Sequence, residues 1–191
     1  MMEEEIQLEL KQTTSIWKKL LPLTLMIAVF VLDQLTKWLV IKNIQPYTVG
    51  YSFFDGVLRI IHVYNTGAAF SMGQNLAENV KSIVLGIIPL LVLIMVLVIY
   101  FRSNDFTTLQ RWAIAGVVGG GLGNLYDRFF RSAGVVDFID VKFYGLFGLE
   151  RWPTFNVADS VICICAGILI VSFVRAIIRE EKQKNKEIDS K

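Results

Sequence analysis

Residues Ser82 to Phe101 read SIVLGIIPLLVLIMVLVIYF and carry no charged side chain. A helix crosses the hydrocarbon core of a bilayer with about 20 apolar residues, so this run fits one passage. Three further stretches of similar length flank it: Leu21 to Ile41, the glycine-rich Trp112 to Phe130, and Val157 to Ile178. Of the 191 residues 54% are hydrophobic, and the mean hydropathy is +0.52. That is too apolar for an ordinary soluble domain. The chain reads as an all-α polytopic membrane protein, with four transmembrane helices forming one domain over about 20–178 between charged tails at 1–19 and 179–191. The first span lacks a small-residue cleavage site and is interrupted by Asp33, Gln34 and Lys37, which argues against a cleavable signal peptide.

Lys and Arg near span ends set the orientation. Lys11, Lys18 and Lys19 precede the first span, Arg102 and Arg111 bracket the second connection, and Arg175, Arg179, Lys182, Lys184 and Lys186 crowd the end of the fourth. All fall on one side if both termini are cytoplasmic. The net charge of +2 is then an orientation signal, with no indication of nucleic-acid binding. Cys163 and Cys165 stand two apart on a helix and point to different faces, so neither a disulfide nor a zinc site is expected. His62 is the sole histidine, which leaves no His-based triad and reads as structural. No metal or cofactor site is expected.

Residues about 43–79 join the first two spans on the outer side. Within them Asp55-Gly56 separates two β-prone runs, Tyr51 to Phe54 and Val57 to Tyr64, and predicts a hairpin at the membrane surface. Residues about 131–155 form a second outer loop rich in aromatics, among them Phe138, Phe143, Tyr144, Phe147 and Trp152, which suit the headgroup zone.

The chemistry lies in polar residues at membrane depth, where a carboxylate is costly without a partner or a task. Asp137 in Val135-Val136-Asp137-Phe138-Ile139 and Asp159 in Phe155-Asn156-Val157-Ala158-Asp159-Ser160 both stand where apolar chain meets a span end. Two carboxylates at matching depth can share one proton, the chemistry that cuts peptide bonds without a metal or a serine. Asp33 and Lys37 share a helical face, either as a neutralising pair or as a wall of a site. Asn65-Thr66-Gly67-Ala68-Ala69-Phe70 suits tight backbone approach, though taken alone an ordinary turn is the better reading. Asn124, Asp127 and Arg128 fall on one face of the third span. Asp127 and Arg128 either anchor the span end or brace the Asp137 loop. The glycines before them permit close helix packing and lack the Lys-Ser/Thr of a phosphate loop. Asn156 and Asp159 also fit a helix cap, a role compatible with chemistry.

Taken together these residues resemble the lipoprotein signal peptidase (signal peptidase II) family. Its boxes match Asp33-Gln34-Leu35-Thr36-Lys37, Asn65 to Phe70, Gly119 to Arg128, Val135 to Phe138, and Phe155 to Asp159, in that order across about residues 20–178. The family commonly has alanine where Gly121 stands. The resemblance implies a multi-pass aspartyl protease of the bacterial cytoplasmic (inner) membrane, working near the outer face. It would remove signal peptides from diacylglyceryl-modified prolipoproteins just before the lipidated cysteine. Motif matching makes Asp137 and Asp159 the catalytic pair. Asn65, Gly67, Asn124, Arg128 and Asn156 become supporting or substrate-binding residues, together with Asp33, Lys37 and Asp127. Partners would be the lipidated prolipoprotein and membrane lipids, with no obligate protein partner evident.

Position alone suggests an asymmetry within the pair. Asp159 lies in the first turn of a helix, whose dipole favours the carboxylate, so it is expected as general base with Asp137 as proton donor. The glycine-rich span is expected to admit the signal helix, and the outer sheet and aromatic loop to clamp the substrate. Other readings are a presenilin-type protease, a structural membrane subunit, and a small transporter or proton carrier using buried Asp, Asn and Arg. Four spans, with Asn124 rather than Asp after Gly121-Leu122-Gly123, speak against the first. So many intramembrane polar groups speak against the second. Polar residues gathered at one end of the spans speak against the third.

Overall fold

The computed structural model describes residues 16–67 and 77–189. Ala68, Ala69 and Phe70 of the second box, and most of the N-terminal tail, lie outside the described residues. In chain order the elements are α1 (Leu23–Asn43), β1 (Val49–Phe53), β2 (Leu58–Asn65), a helical passage ending in α2 (Ile88–Arg102), α3 (Thr108–Phe130), β3 (Val135–Val141) and α4 (Val157–Asp189). The passage before α2 begins with the turn Glu78–Lys81 and widens into a π-helical stretch, Ser82–Ile87. Pro89 accounts for the widening, since it has no N–H and its ring crowds the carbonyl four residues back.

Among the described residues three helices are long and apolar enough to cross a membrane: Ile16–Asn43, Ser82–Arg102 and Val157–Lys184. Large apolar side chains stand exposed along them, as surfaces facing lipid require. The expectation of four such helices is met in part. α3 has the length, 23 residues, but its composition falls short because Gln110, Arg111, Asn124, Asp127 and Arg128 sit on it among glycines. α3 is instead the central element, with buried faces toward α1, α2 and α4. Its glycines set those contacts. A Cβ at Gly119 would come within 2.6 Å of Met26 O on α1, and one at Gly120 within 2.7 Å of Ala158 O on α4. The expectation that these glycines admit a substrate helix is therefore corrected: the chain's own helices occupy the space.

At one end of the bundle Lys19 Nζ donates to Phe101 O (2.8 Å), Tyr100 OH donates to Lys19 O (2.6 Å), and Arg111 donates to Tyr100 O and Ser103 O (3.1 and 2.9 Å). Lys19 and Arg111, two of the basic residues used for orientation, thus stand at the same end. The opposite end carries the sheet. β1 and β2 form the expected hairpin, paired from Val49↔Ile61 to Phe53↔Leu58, with Asp55 and Gly56 at positive φ in its turn. A loop was expected at 131–155, but residues 135–141 form β3, antiparallel to β2 with Val63 opposite Asp137 and Asn65 opposite Val135. Phe155 bonds the other edge of β3, through Phe155 N to Ile139 O (3.1 Å) and Ile139 N to Phe155 O (2.8 Å). Val40, Ile44, Val136 and Phe138 form a small core that seats the sheet on the end of α1. Buried His62 joins them, its Nδ1–H donating to Ile44 O at 2.8 Å. α4 continues as helix to Asp189, through most of the tail read from sequence as 179–191.

Candidate active site

Asp137 and Asp159 reach the site from different elements. β3 carries Asp137 inward, because its strand is buried on both faces and held between β2 and Phe155. Phe155 also fixes the entry to α4, so Asn156 and Asp159 follow at once.

Asn156 joins the two acids. Its Nδ2 donates to Asp137 Oδ1 at 2.8 Å, and its Oδ1 accepts from Asp159 N at 3.0 Å. Asp159 Oδ2 returns the bond by accepting from Asn156 N at 3.1 Å, the reciprocal arrangement of a capping box. One residue is thus both helix cap and site ligand. Asn65 Nδ2 donates to the other Asp137 oxygen at 3.0 Å, while Asn65 Oδ1 accepts from Gly67 N at 2.9 Å. On the Asp159 side, Asn124 Nδ2 donates to Oδ1 at 2.7 Å. Asn124 Oδ1 in turn accepts from Lys37 Nζ (2.9 Å) and Asn156 Nδ2 (3.1 Å). These two donors fix which way the Asn124 amide points.

Behind the amides lies a charged layer. Lys37 Nζ sits 2.8 Å from Asp33 Oδ2 and 2.9 Å from Asp127 Oδ2, with all three side chains fully buried. Asp33 Oδ1 accepts from Ala158 N at 3.0 Å, so α1 helps to cap α4. Asp127 Oδ2 accepts from Val136 N at 3.2 Å, beside Asp137. Of the two roles open to Asp127, the geometry is that of a brace. Arg128 faces both Asp137 and Asp159, and its Nη2 donates to Gly67 O at 2.8 Å. All ten residues singled out from sequence therefore lie in one network.

Two members of that network escaped the sequence reading as site residues. Gln34 Nε2 donates to Asp33, Gly123 O and Asp127 (3.1, 3.0 and 3.2 Å), and Arg131 Nε pairs with Asp127 Oδ1 at 3.0 Å. Gln34 gave a signal, as a polar residue at membrane depth beside Asp33. Arg131 stands four residues after Asp127, beyond the span end, where a cation draws no notice.

Burial pushes the Asp137 carboxyl up to about 7. The donated bonds from Asn65 and Asn156 oppose that rise, and the nearby Asp159 carboxylate adds to it. Asp137 therefore holds a proton near neutrality. No cluster of metal-ligating side chains occurs among the described residues. A groove of about 620 Å³ at the opposite end, between α3 and α4, is lined by Thr107, Gln110 and Arg175, with no carboxylate among the described residues there.

A family model described as signal peptidase (SPase) II matches residues 25–175. The lipoprotein signal peptidase of Treponema pallidum (strain Nichols) is 49% identical over 158 residues, covering 83% of this chain and 85% of that protein. The lipoprotein signal peptidase of Treponema denticola is 47% identical over 165 residues, covering 86% and 95%. Among solved structures, a bacterial membrane enzyme determined by the in meso method at 2.3 Å resolution aligns with a TM-score of 0.69 at 26% identity, over 81% of this chain and 87% of that one. A second, at 1.9 Å resolution, gives 0.66 at 26% identity over 80% and 91%.

Proposed function

The chain belongs to the signal peptidase II family, and from that membership we propose that it works as an aspartic endopeptidase through Asp137 and Asp159. It is a bacterial membrane protease, and its family relatives are lipoprotein signal peptidases. The finer reading is that it cuts diacylglyceryl-modified prolipoproteins just before the lipidated cysteine. The observation that carries the aspartic mechanism is the Asn156 bridge, which binds one carboxylate with its amide N–H and caps the helix bearing the other.

Burial raises the Asp137 carboxyl to about 7, so up to about that pH Asp137 carries a proton to give. Asp159 receives donated bonds from Asn124 Nδ2 and Asn156 N, which hold its carboxyl in place to act on water. Asp159 then takes a proton from water as the water oxygen bonds to the scissile carbonyl carbon. Asp137 gives its proton to the departing amide nitrogen, and the C–N bond breaks. The proton gained by Asp159 passes back to Asp137 as products leave. Arg128 supplies positive charge beside both acids and fixes the backbone at Gly67. Asp33, Lys37 and Asp127 orient the amides without touching substrate.

We further infer that α3 crosses the membrane as a fourth span, with both termini cytoplasmic and the site near the outer face. At 1.5 Å rise per residue its 23 residues reach about 35 Å. Gln110, Arg111 and Asp127 on it are buried, and Asn124 and Arg128 bond within the site. From Ile114 to Gly123 it carries no polar side chain, which leaves the proton-carrier alternative without a path through the bilayer.

The test is purified protein in lipid with a diacylglyceryl-modified prolipoprotein. The expected result is cleavage before the lipidated cysteine, lost in Asp137→Asn and Asp159→Asn and unaffected by chelators. Wild-type turnover in either variant would overturn the proposal.

A further inference from the structure

α3 and α4 are in close contact over the halves nearer the catalytic site. A Cβ at Gly120 would meet Ala158 O at 2.7 Å, and one at Gly116 would meet Cys165 Sγ at 2.5 Å. The same face of α4 then presents Ser172 and Ala176, whose short side chains leave the groove of about 620 Å³ open against the first turn of α3. Along α4 this groove runs from Ile164 through Ile168 and Val171 to Arg175 and Arg179. These positions recur every three or four residues and so form one helix face. At 1.5 Å per residue they cover roughly 22 Å. Arg175 lies 18 residues past Val157, roughly 27 Å along α4. The two arginines therefore stand near the far boundary of a hydrocarbon core about 30 Å thick. Ile164 and Val171 are exposed within that core.

Arg175 and Arg179 are both exposed and stand one turn apart. Among the described residues neither has a hydrogen-bond or ion-pair partner, and no carboxylate lines the groove. Like charges four apart on a helix repel, so the pair favours an anion between them. The apolar wall selects an anion carried on hydrocarbon. A volume of about 620 Å³ over that length leaves a mean width of roughly 5 Å, about half the diameter of a helix. The groove thus suits an extended chain and is too narrow for a helix. The basic start of a signal peptide would in addition meet like charge at the arginines.

We propose that this groove holds one anionic phospholipid from the leaflet opposite the catalytic site. Arg175 and Arg179 take its phosphate, and one acyl chain lies along Val171, Ile168 and Ile164. Basic pockets between spans are the usual seat of anionic headgroups. The groove shares no residue with the catalytic network. The proposal goes beyond the protease reading and does not depend on which residues perform hydrolysis.

The experiment is native mass spectrometry of the full chain released from detergent micelles, titrated with phosphatidylglycerol or with phosphatidylcholine of the same chains. The expected result is retention of phosphatidylglycerol about tenfold above phosphatidylcholine. The double variant Arg175→Gln, Arg179→Gln should lose about tenfold, since a hydrogen bond to a charged group is worth roughly that factor. Arg102→Gln removes an exposed cation at the same end that does not line the groove, and should retain the lipid as the wild type does. The double variant Ser172→Leu, Ala176→Leu fills the groove and keeps both arginines. It should lose the lipid with the wild-type thermal transition unchanged. Equal retention of the two lipids would overturn the proposal, as would full retention by the folded, filled variant. An equal loss in Arg102→Gln would reduce the binding to general surface charge and also overturn it. A dimer that filling the groove abolishes would assign the groove to a second copy of the chain, again overturning it.

Discussion

At Asp137 two amide groups hold the two carboxyl oxygens, yet burial keeps the proton on up to about pH 7. Turnover should therefore fall as pH rises through about 7, because the proton donor is lost there. A pH–rate profile checks this; a flat profile from pH 6 to 9 would contradict it. The same shift has a stability consequence. The folded form binds more protons at Asp137 than the unfolded chain between the ordinary value of 3.8 and about 7, so this group's contribution declines with rising pH across that window. The unfolding free energy of Asp137→Asn relative to wild type should move in the variant's favour from about pH 4 to 7 and level off above. Denaturation in mixed micelles at several pH values measures it. Asn156 separates cap from chemistry. Asn156→Ala should cost about 1 kcal/mol or more from the lost cap. Asn156→Ser restores the acceptor for the Asp159 N–H but not the donor to Asp137, so it should recover stability while turnover stays low. Recovery of both together would make Asn156 a structural residue only.

At the scale of elements, α3 decides how tightly the bundle closes. A methyl at Gly119 or Gly120 meets backbone oxygen on a neighbouring helix, which cannot swing aside. A methyl at Gly121 meets only the Leu93 side chain, at 2.8 Å, and that side chain can turn away. Gly119→Ala and Gly120→Ala should each destabilise by about 1–3 kcal/mol, the usual cost of overpacking, while Gly121→Ala stays near wild type. Thermal melts of the three variants decide it; equal losses at all three would contradict the account. The helices were legible from hydropathy, and the hairpin from Asp55-Gly56 between β-prone runs. β3 was not. Its run Val135-Val136-Asp137-Phe138-Ile139-Asp140-Val141 is buried on nearly all positions, so it lacks the two-residue alternation that marks a half-exposed strand. Asp140 was missed for the same reason. It is buried against Arg59 Nε and Arg151 Nε, each 2.6 Å away, and ties the sheet to the loop before α4. The Asn156 bridge was half legible: its cap motif shows in the sequence, but its bond to Asp137 depends on β3 and Phe155 lying side by side.

For the whole molecule, the polarity of the bundle is the feature to test. Lys19, Arg102 and Arg111 mark one end, and the sheet with Asp137 marks the other. With α3 crossing, a membrane-impermeant thiol reagent applied to intact cells should label Gly148→Cys in the outer loop and leave Asp105→Cys in the short turn unlabelled until the membrane is opened. Labelling of both from outside would contradict the four-span arrangement. Seven amide or charged side chains, from α1, β2, α3 and the residue that caps α4, gather around the two acids, so the site exists only when the bundle and the sheet are both in place. The most direct test is a structure of the protein with a prolipoprotein peptide whose scissile carbonyl is replaced by a tetrahedral hydroxyl. The account predicts that hydroxyl within about 2.6–3.2 Å of a carboxyl oxygen from both Asp137 and Asp159. A hydroxyl bound by one acid alone, or held away from both, would contradict it.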